Sequence, residues 1–209
     1  MNKHHIVSIS VIIPTLNRPD SLRDTLQSFM AGSCVPSEFI IVDQSTKEQL
    51  KAETKQCTEE FVGDVHFKYI FLNQPSSTKA RNAGIEKTCN EIIVFSDDDV
   101  ELRKNTIENL YNIMACNGVS MIGALDDNTV YHDSWLGYIS GIKSFRKRKK
   151  GNVSGSFFGR YPSVISQANV PTEWCMGYFF AVKKSLIDKW KLRFDENLTS
   201  YAYAEDLDF

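Results

Sequence analysis

The chain has 209 residues, 42% of them hydrophobic and 24% charged, with a formal net charge of -2. That length supports one α/β domain with a sizeable core, and the charge balance excludes a global electrostatic grip on nucleic acid, so no nucleic-acid partner is expected. No stretch approaches the roughly 18 apolar residues needed to cross a bilayer, and the run from Ile6 to Ile13 lacks the basic flank and cleavage site of a signal peptide.

Strand-like and helix-like segments alternate along the first half. Ser8–Ile13 is rich in Val and Ile, reads as a buried strand and is expected to stop at Pro14. Asp20 or Ser21 can cap a helix running to about Ala31, with Leu22, Leu26 and Phe29 on one face. Phe39–Val42 is a second strand, and Lys47–Glu60 is polar and helix-prone. Phe67–Leu72 is a third strand, followed by a helix from Ser77 or Thr78 to about Cys89. Glu91–Phe95 is a fourth strand, 104–116 a helix and Val119–Ala124 a fifth strand. This order predicts an α/β fold with a mainly parallel, Rossmann-like sheet flanked by helices. Ligands of such sheets bind outside the carboxyl ends of the strands.

From Asp126 to Pro171 the pattern dissolves into Gly, Ser, aromatic and basic residues, a length that suits a lid or binding element. Order returns at Trp174–Val182 and in a short helix from Lys184 to Trp190. Five widely spaced cysteines without a CxxC pair point to a reduced, cytoplasmic protein in which they serve as small buried hydrophobes.

Three strands end in polar, turn-forming residues: Pro14-Thr15-Leu16-Asn17-Arg18, Asp43-Gln44-Ser45 and Ser96-Asp97-Asp98-Asp99. A single Asp at a strand end is usually a turn former or a cap. Three in a row repel one another unless a cation neutralises them, and their hard oxygens suit Mn²⁺ or Mg²⁺ shared with phosphate oxygens. Arg81, near the start of the helix after the third strand, is well placed for a diphosphate.

The strings Ser-Val-Ile-Ile-Pro-Thr-Leu-Asn-Arg (10–18), Ile-Ile-Val-Asp-Gln-Ser (40–45), Ala-Arg-Asn-Ala-Gly (80–84) and Phe-Ser-Asp-Asp-Asp-Val (95–100) resemble, in order and spacing, the family 2 glycosyltransferases of GT-A fold. The terminal Ala-Glu-Asp (204–206) resembles that family's later acidic motif. The resemblance implies an inverting, metal-dependent transferase that takes a nucleotide-sugar donor, usually a UDP-sugar. It implies that Pro14 and Thr15 lie along the nucleotide, with Asn17 and Arg18 in the same segment. Asp43 would accept a hydrogen bond from the base, and Arg81 would help hold the nucleotide. Asp97 and Asp98 would approach the ribose or the metal, and Asp97 and Asp99 would ligate it. Asp206 would be the general base, with Glu205 as the alternative. Gln44 departs from the family, which often has a second acid there.

Residues 1–125 would form the nucleotide-sugar-binding half. Residues 126–209 would form a smaller acceptor-side half of the same catalytic domain, with its C-terminal part expected to be truncated. Trp174 and Gly177 are the candidate contacts to a saccharide or lipid-linked saccharide acceptor, through ring stacking and close backbone approach; Phe179 and Phe180 read rather as a buried strand. Arg146-Lys147-Arg148-Lys149-Lys150 can meet anionic lipid on the inner face of the membrane, be a solvated loop or form a nucleic-acid patch. Rival readings are a nucleotide-binding scaffold without turnover and a sugar nucleotidyltransferase; against the latter, 14–19 lacks the Gly-rich loop that such enzymes carry.

Overall fold

The computed structural model describes residues 5–61, 63, 65–116, 118–126 and 171–198. In chain order the elements are β1 (His5–Thr15), α1 (Pro19–Met30), β2 (Cys34–Asp43), α2 (Glu48–Glu60), β3 (His66–Phe71), α3 (Ser77–Ile85), β4 (Ile92–Ser96), α4 (Thr106–Cys116), β5 (Met121–Gly123), β6 (Phe179–Lys183) and α5 (Lys184–Trp190). They build one six-stranded sheet of order β3-β2-β1-β4-β6-β5. β1 to β4 pair in parallel, and β6 is antiparallel to both β4 and β5. The expected mainly parallel α/β sheet is therefore present, with one reversed strand.

Period-two alternation explains why both faces are covered. Ile9, Val11 and Ile13 of β1 face the cluster that holds Leu22, Leu26 and Phe29 of α1 and Ile107, Leu110 and Met114 of α4. Ile12 faces the other cluster, with Ile40, Phe95 and Phe180 from the sheet and Ala80, Ile85, Ile187 and Phe194 over it. Phe95 stacks on Phe180 at 4.7 Å between ring centroids and meets Phe194 edge-on at 5.3 Å. Each such buried ring contributes about 1.5–3 kcal/mol.

Three local expectations change. β1 does not stop at Pro14 but runs to Thr15, with Pro14 opposite Val42. Pairing with β4 ends at Ile12, and Thr15 faces β2 by accepting from Gln44 N, so the missing Pro14 donor points to the side where no ladder remains. The N-cap of α1 is Arg18, not Asp20 or Ser21, because Pro19 takes the first helical position. The cysteines are not uniformly buried: Cys34 and Cys57 are, whereas Cys89 and Cys116 are exposed. Burial pushes the Cys57 thiol up to about 11.

The sheet order reverses direction between β1 and β4. Strands β2 and β3 follow on one side of β1, and β4 lies on the other. This is a topological switch point, where a crevice opens at the carboxyl ends of the strands.

Candidate active site at the switch point

Several polar contacts bridge the crevice. Thr15 Oγ1, at the end of β1, donates to Asp98 Oδ2, just past β4, at 2.6 Å. Asp98 is fully buried. Its other oxygen pairs with the Arg18 guanidinium, whose Nη1 also lies 3.0 Å from Asp99 Oδ2. Ser21 Oγ donates to the Asp98 carbonyl at 2.8 Å, which fastens α1 to the same turn. Burial raises the Asp98 pKa above the ordinary carboxylate range, against the lowering pull of Thr15 and Arg18.

The three neighbouring carboxylates thus diverge. Asp98 turns inward to β1. The side chains of Asp97 and Asp99 stay 39% and 55% exposed. Asp97 Oδ1 accepts from Arg81 Nη2 at 3.1 Å, and Arg81 Nη2 also donates to the Gly177 carbonyl at 3.0 Å. Asp97 N donates to the Tyr178 carbonyl. The loop that leads into β6 therefore crosses the end of β4 and brings Gly177 against Arg81. Burial, followed by the charges of Asp99 and Asp98 against the pull of Arg81, raises the Asp97 pKa. Among the described residues no group of three His, Cys, Asp or Glu side chains forms a metal cluster. Two hard carboxylates with open faces, Asp97 and Asp99, fit a divalent ion that draws its other ligands from phosphate and water.

Arg81 is itself buried, with 5% side-chain exposure. It sits on α3, whose N-cap Ser76 accepts from Lys79 N. The helix lies close to β1 because of Gly84. A Cβ there would stand 3.1 Å from Ile12 Cδ1 and closer still to Ile12 Cγ2. The glycine of the Ala-Arg-Asn-Ala-Gly string is thus a packing requirement that lowers Arg81 onto the end of β4.

Asp43 is fully buried at the end of β2. Its Oδ1 accepts from Ser45 N at 2.8 Å and its Oδ2 from the Tyr69 hydroxyl at 2.6 Å. Tyr69 was not singled out from sequence; only the register of β2 with β3, which pairs Asp43 with Phe71, puts the two side chains on one face. Burial and the Asp43 carboxylate push the Tyr69 phenol well above its usual range. Gln44 is also buried, and its Nε2 donates to the carbonyls of Gln74 at 2.9 Å and Ser76 at 3.0 Å. A carboxylate cannot donate to two carbonyls, which explains an amide where the family often has an acid. Asn17, at φ 58, braces the first loop to the second: its Oδ1 accepts from Thr46 N at 2.9 Å and its Nδ2 donates to Thr46 Oγ1 at 3.1 Å.

The structure therefore gathers Thr15, Arg18, Asp97, Asp98 and Asp99 around one turn, with Arg81 and Gly177 alongside. Pro14 is half-buried at the end of β1, Asp43 closes the adjacent strand, and Trp174 is half-buried three residues before Gly177. Phe179 and Phe180 are core residues. Glu205, Asp206 and the basic run 146–150 lie outside the described residues. A cavity of about 430 Å³ beside α3, lined by Leu72, Gln74, Lys79, Asn82 and Glu196 among others, shares no residue with the carboxylate turn. No helix of the described residues is long and apolar enough to cross a membrane.

Residues 10–169 match the family model described as Glycosyl transferase family 2. A GalNAc(5)-diNAcBac-PP-undecaprenol beta-1,3-glucosyltransferase of Campylobacter jejuni is 29% identical over 197 residues, covering 90% of this chain and 55% of that protein. The poly(ribitol-phosphate) beta-N-acetylglucosaminyltransferase TarP of Staphylococcus aureus is 29% identical over 106 residues, 50% of this chain and 32% of that protein. The chain thus spans about a third to just over half the length of these two curated relatives. Among solved structures, S. aureus TarS 1–349 in complex with UDP superposes with a TM-score of 0.65 at 20% identity, covering 96% of this chain and 53% of that one. The fold is thereby that of the GT-A glycosyltransferases. By a family match that extends from β1 well past the three aspartates, this chain belongs to the family 2 glycosyltransferases.

Proposed function

We propose that the chain transfers a sugar from a nucleotide-diphosphate donor, a UDP-sugar, to an acceptor hydroxyl with inversion. The observation that carries this reading is the Thr15–Asp98 bridge across the switch point, flanked by Asp97 and Asp99 with open carboxylate faces. Uridine is the base to test first because a structure of the same fold was solved with UDP. The acceptor is a saccharide or lipid-linked saccharide, a class to which the substrate named for the Campylobacter relative belongs.

In this reading residues 1–125 hold the donor and 126–209 the acceptor side. Pro14, Thr15, Asn17 and Asp43 line the nucleoside. The preformed hydrogen bonds of Thr15, Asn17 and Asp43 mean that little ordering of these side chains remains to oppose binding. Asp97 and Asp99 would hold Mn²⁺ or Mg²⁺, which would supply Lewis-acid charge to the diphosphate. Arg18, whose side chain is half-exposed, exchanges Asp99 for a diphosphate oxygen, and Arg81 adds positive charge from below Asp97. Asp206, with Glu205 as the alternative, accepts the proton of the acceptor hydroxyl as that oxygen attacks. A single displacement from the face opposite the leaving group inverts the anomeric carbon. Trp174 and Gly177 form the acceptor contact, and Arg146–Lys150 supplies peripheral contact with the inner membrane face.

Calorimetric titration with UDP, with and without Mn²⁺, tests the reading. Micromolar binding that needs the metal and is lost in Asp99→Ala is expected. Binding that ignores both the metal and the substitution would overturn the assignment of Asp97 and Asp99.

A further inference from the structure

Next to Arg81 on α3 stands a side chain that the proposed reaction does not use. Asn82 is buried, with 6% exposure, and both ends of its carboxamide are engaged by a segment that follows α5. Its Oδ1 accepts from Phe194 N at 3.0 Å. Its Nδ2 donates to the Phe194 carbonyl at 2.9 Å and to Glu196 Oε1 at 3.0 Å. Satisfying the N–H and C=O of one residue with one amide fixes that residue in position and orientation. Ordinary packing of Phe194 against Phe95 and Ile187 would not demand such a clamp.

What the clamp fixes is a ring. The Phe194 side chain is 1% exposed and lies with its centroid 5.3 Å from Arg81 Cζ, where a guanidinium is attracted to the ring face. From that seat Arg81 Nη2 reaches Asp97 Oδ1 and the Gly177 carbonyl. Two consecutive residues of one helical turn thus act on the same object: Asn82 holds the backbone of Phe194, and Arg81 rests on its ring.

We propose that Asn82 is a positioning residue for the donor: by clamping Phe194 it seats the Arg81 guanidinium, and so sets how Arg81 presents its charge to Asp97 and to the diphosphate of a bound nucleotide. The inference rests on the reading of Arg81 as a donor-binding residue and assigns Asn82 no contact with the nucleotide.

The test is a double-mutant cycle on UDP affinity, read by calorimetry in the presence of Mn²⁺, with thermal unfolding recorded for each protein. Asn82→Asp keeps the size and the acceptor but replaces the donated N–H groups by a carboxylate facing the Phe194 carbonyl and Glu196. UDP affinity should fall about tenfold, close to 1.4 kcal/mol. In an Arg81→Lys background the same substitution should cost less than about twofold, since the group it positions is gone. Adding Glu196→Gln to Asn82→Asp should recover part of the lost affinity by returning a donor to the clamp. If Asn82→Asp does not fold, Phe194→Leu removes the ring under Arg81, keeps an apolar core residue and replaces it in the cycle. Equal costs of Asn82→Asp with and without Arg81 would mean that the clamp is structural only, and would overturn the proposal while leaving the donor reading intact. A wild-type protein that binds no UDP, or binds it as well with Arg81→Lys, would overturn the reading of Arg81 and the proposal with it.

Discussion

Replacing Thr15 by Val removes one hydroxyl and leaves the shape of the side chain nearly unchanged. The hydroxyl donates at 2.6 Å to a carboxylate with no solvent exposure, so water cannot take its place. A hydrogen bond to a buried charged group contributes about 1.5–3 kcal/mol, and the abandoned acceptor keeps its desolvation cost. Thr15→Val should therefore destabilise the ligand-free protein by about 2 kcal/mol. For a chain of this length that corresponds to a fall of about 4–8 °C in Tm. Urea unfolding in buffer with EDTA measures it, and Thr15→Ser, which keeps the donor, should lose clearly less. The cost should shrink in an Asp98→Asn background, because a neutral amide has less need of the hydroxyl; the coupling should be about 1–2 kcal/mol. A Thr15→Val protein within about 0.5 kcal/mol of wild type would refute the reasoning. So would a cost that is unchanged by Asp98→Asn, since either result would mean that the bridge does not stabilise the buried carboxylate.

Gly84→Ala forces α3 away from Ile12 and should cost about 1–3 kcal/mol of stability, seen in urea unfolding; UDP affinity should fall with it, because Arg81 rides on the same helix. Tyr69→Phe removes the donor to Asp43 Oδ2 and should destabilise by about 1–3 kcal/mol, again by urea unfolding. At the opposite end of the sheet Lys68 Nζ lies 2.6 Å from the buried carboxylate of Glu38, which also accepts from Ser10 and from Cys89 N. Burial works to raise the Glu38 pKa, but these partners outweigh it and hold the pKa below the ordinary value. A lowered folded-state pKa stabilises the fold above the unfolded value, and that stabilisation disappears as pH falls through the folded one. Lys68→Met should therefore be less stable than wild type at pH 7, and the gap should narrow as pH drops below about 4 in a denaturation series.

The strand ends that build the candidate site were legible because a buried parallel strand announces itself as an apolar run, and the polar residues after it have one edge to occupy. Thr15, Asp43 and the 97–99 run follow from that rule alone. Register was not legible. Tyr69 reaches Asp43 only because Asp43 lies opposite Phe71, and no local signal separates it from any other strand tyrosine. The place of β6 was hidden for a related reason. Phe179–Lys183 reads as a buried strand wherever it goes, and only long-range pairing inserts it between β4 and β5. Asn82 and Phe194 carry no pattern that joins them across the chain. Pro14 and Asp20 misled in the opposite way, since the usual rules for strand stops and helix caps gave way to a missing ladder and to Pro19 at the helix start.

The reversed strand also has a consequence for how the protein is made. On the ribosome β1 emerges first and β2, β3 and β4 follow, each beside a partner already present, but the outer edge of β4 waits for Phe179–Lys183. At about 5–20 residues per second that interval lasts on the order of 10 s. Meanwhile Ile92, Ile93, Val94 and Phe95 present an apolar edge with unpaired backbone groups. The nascent chain is thus most prone to sticking after the three aspartates have been synthesised and before the strand that closes the sheet beside them exists.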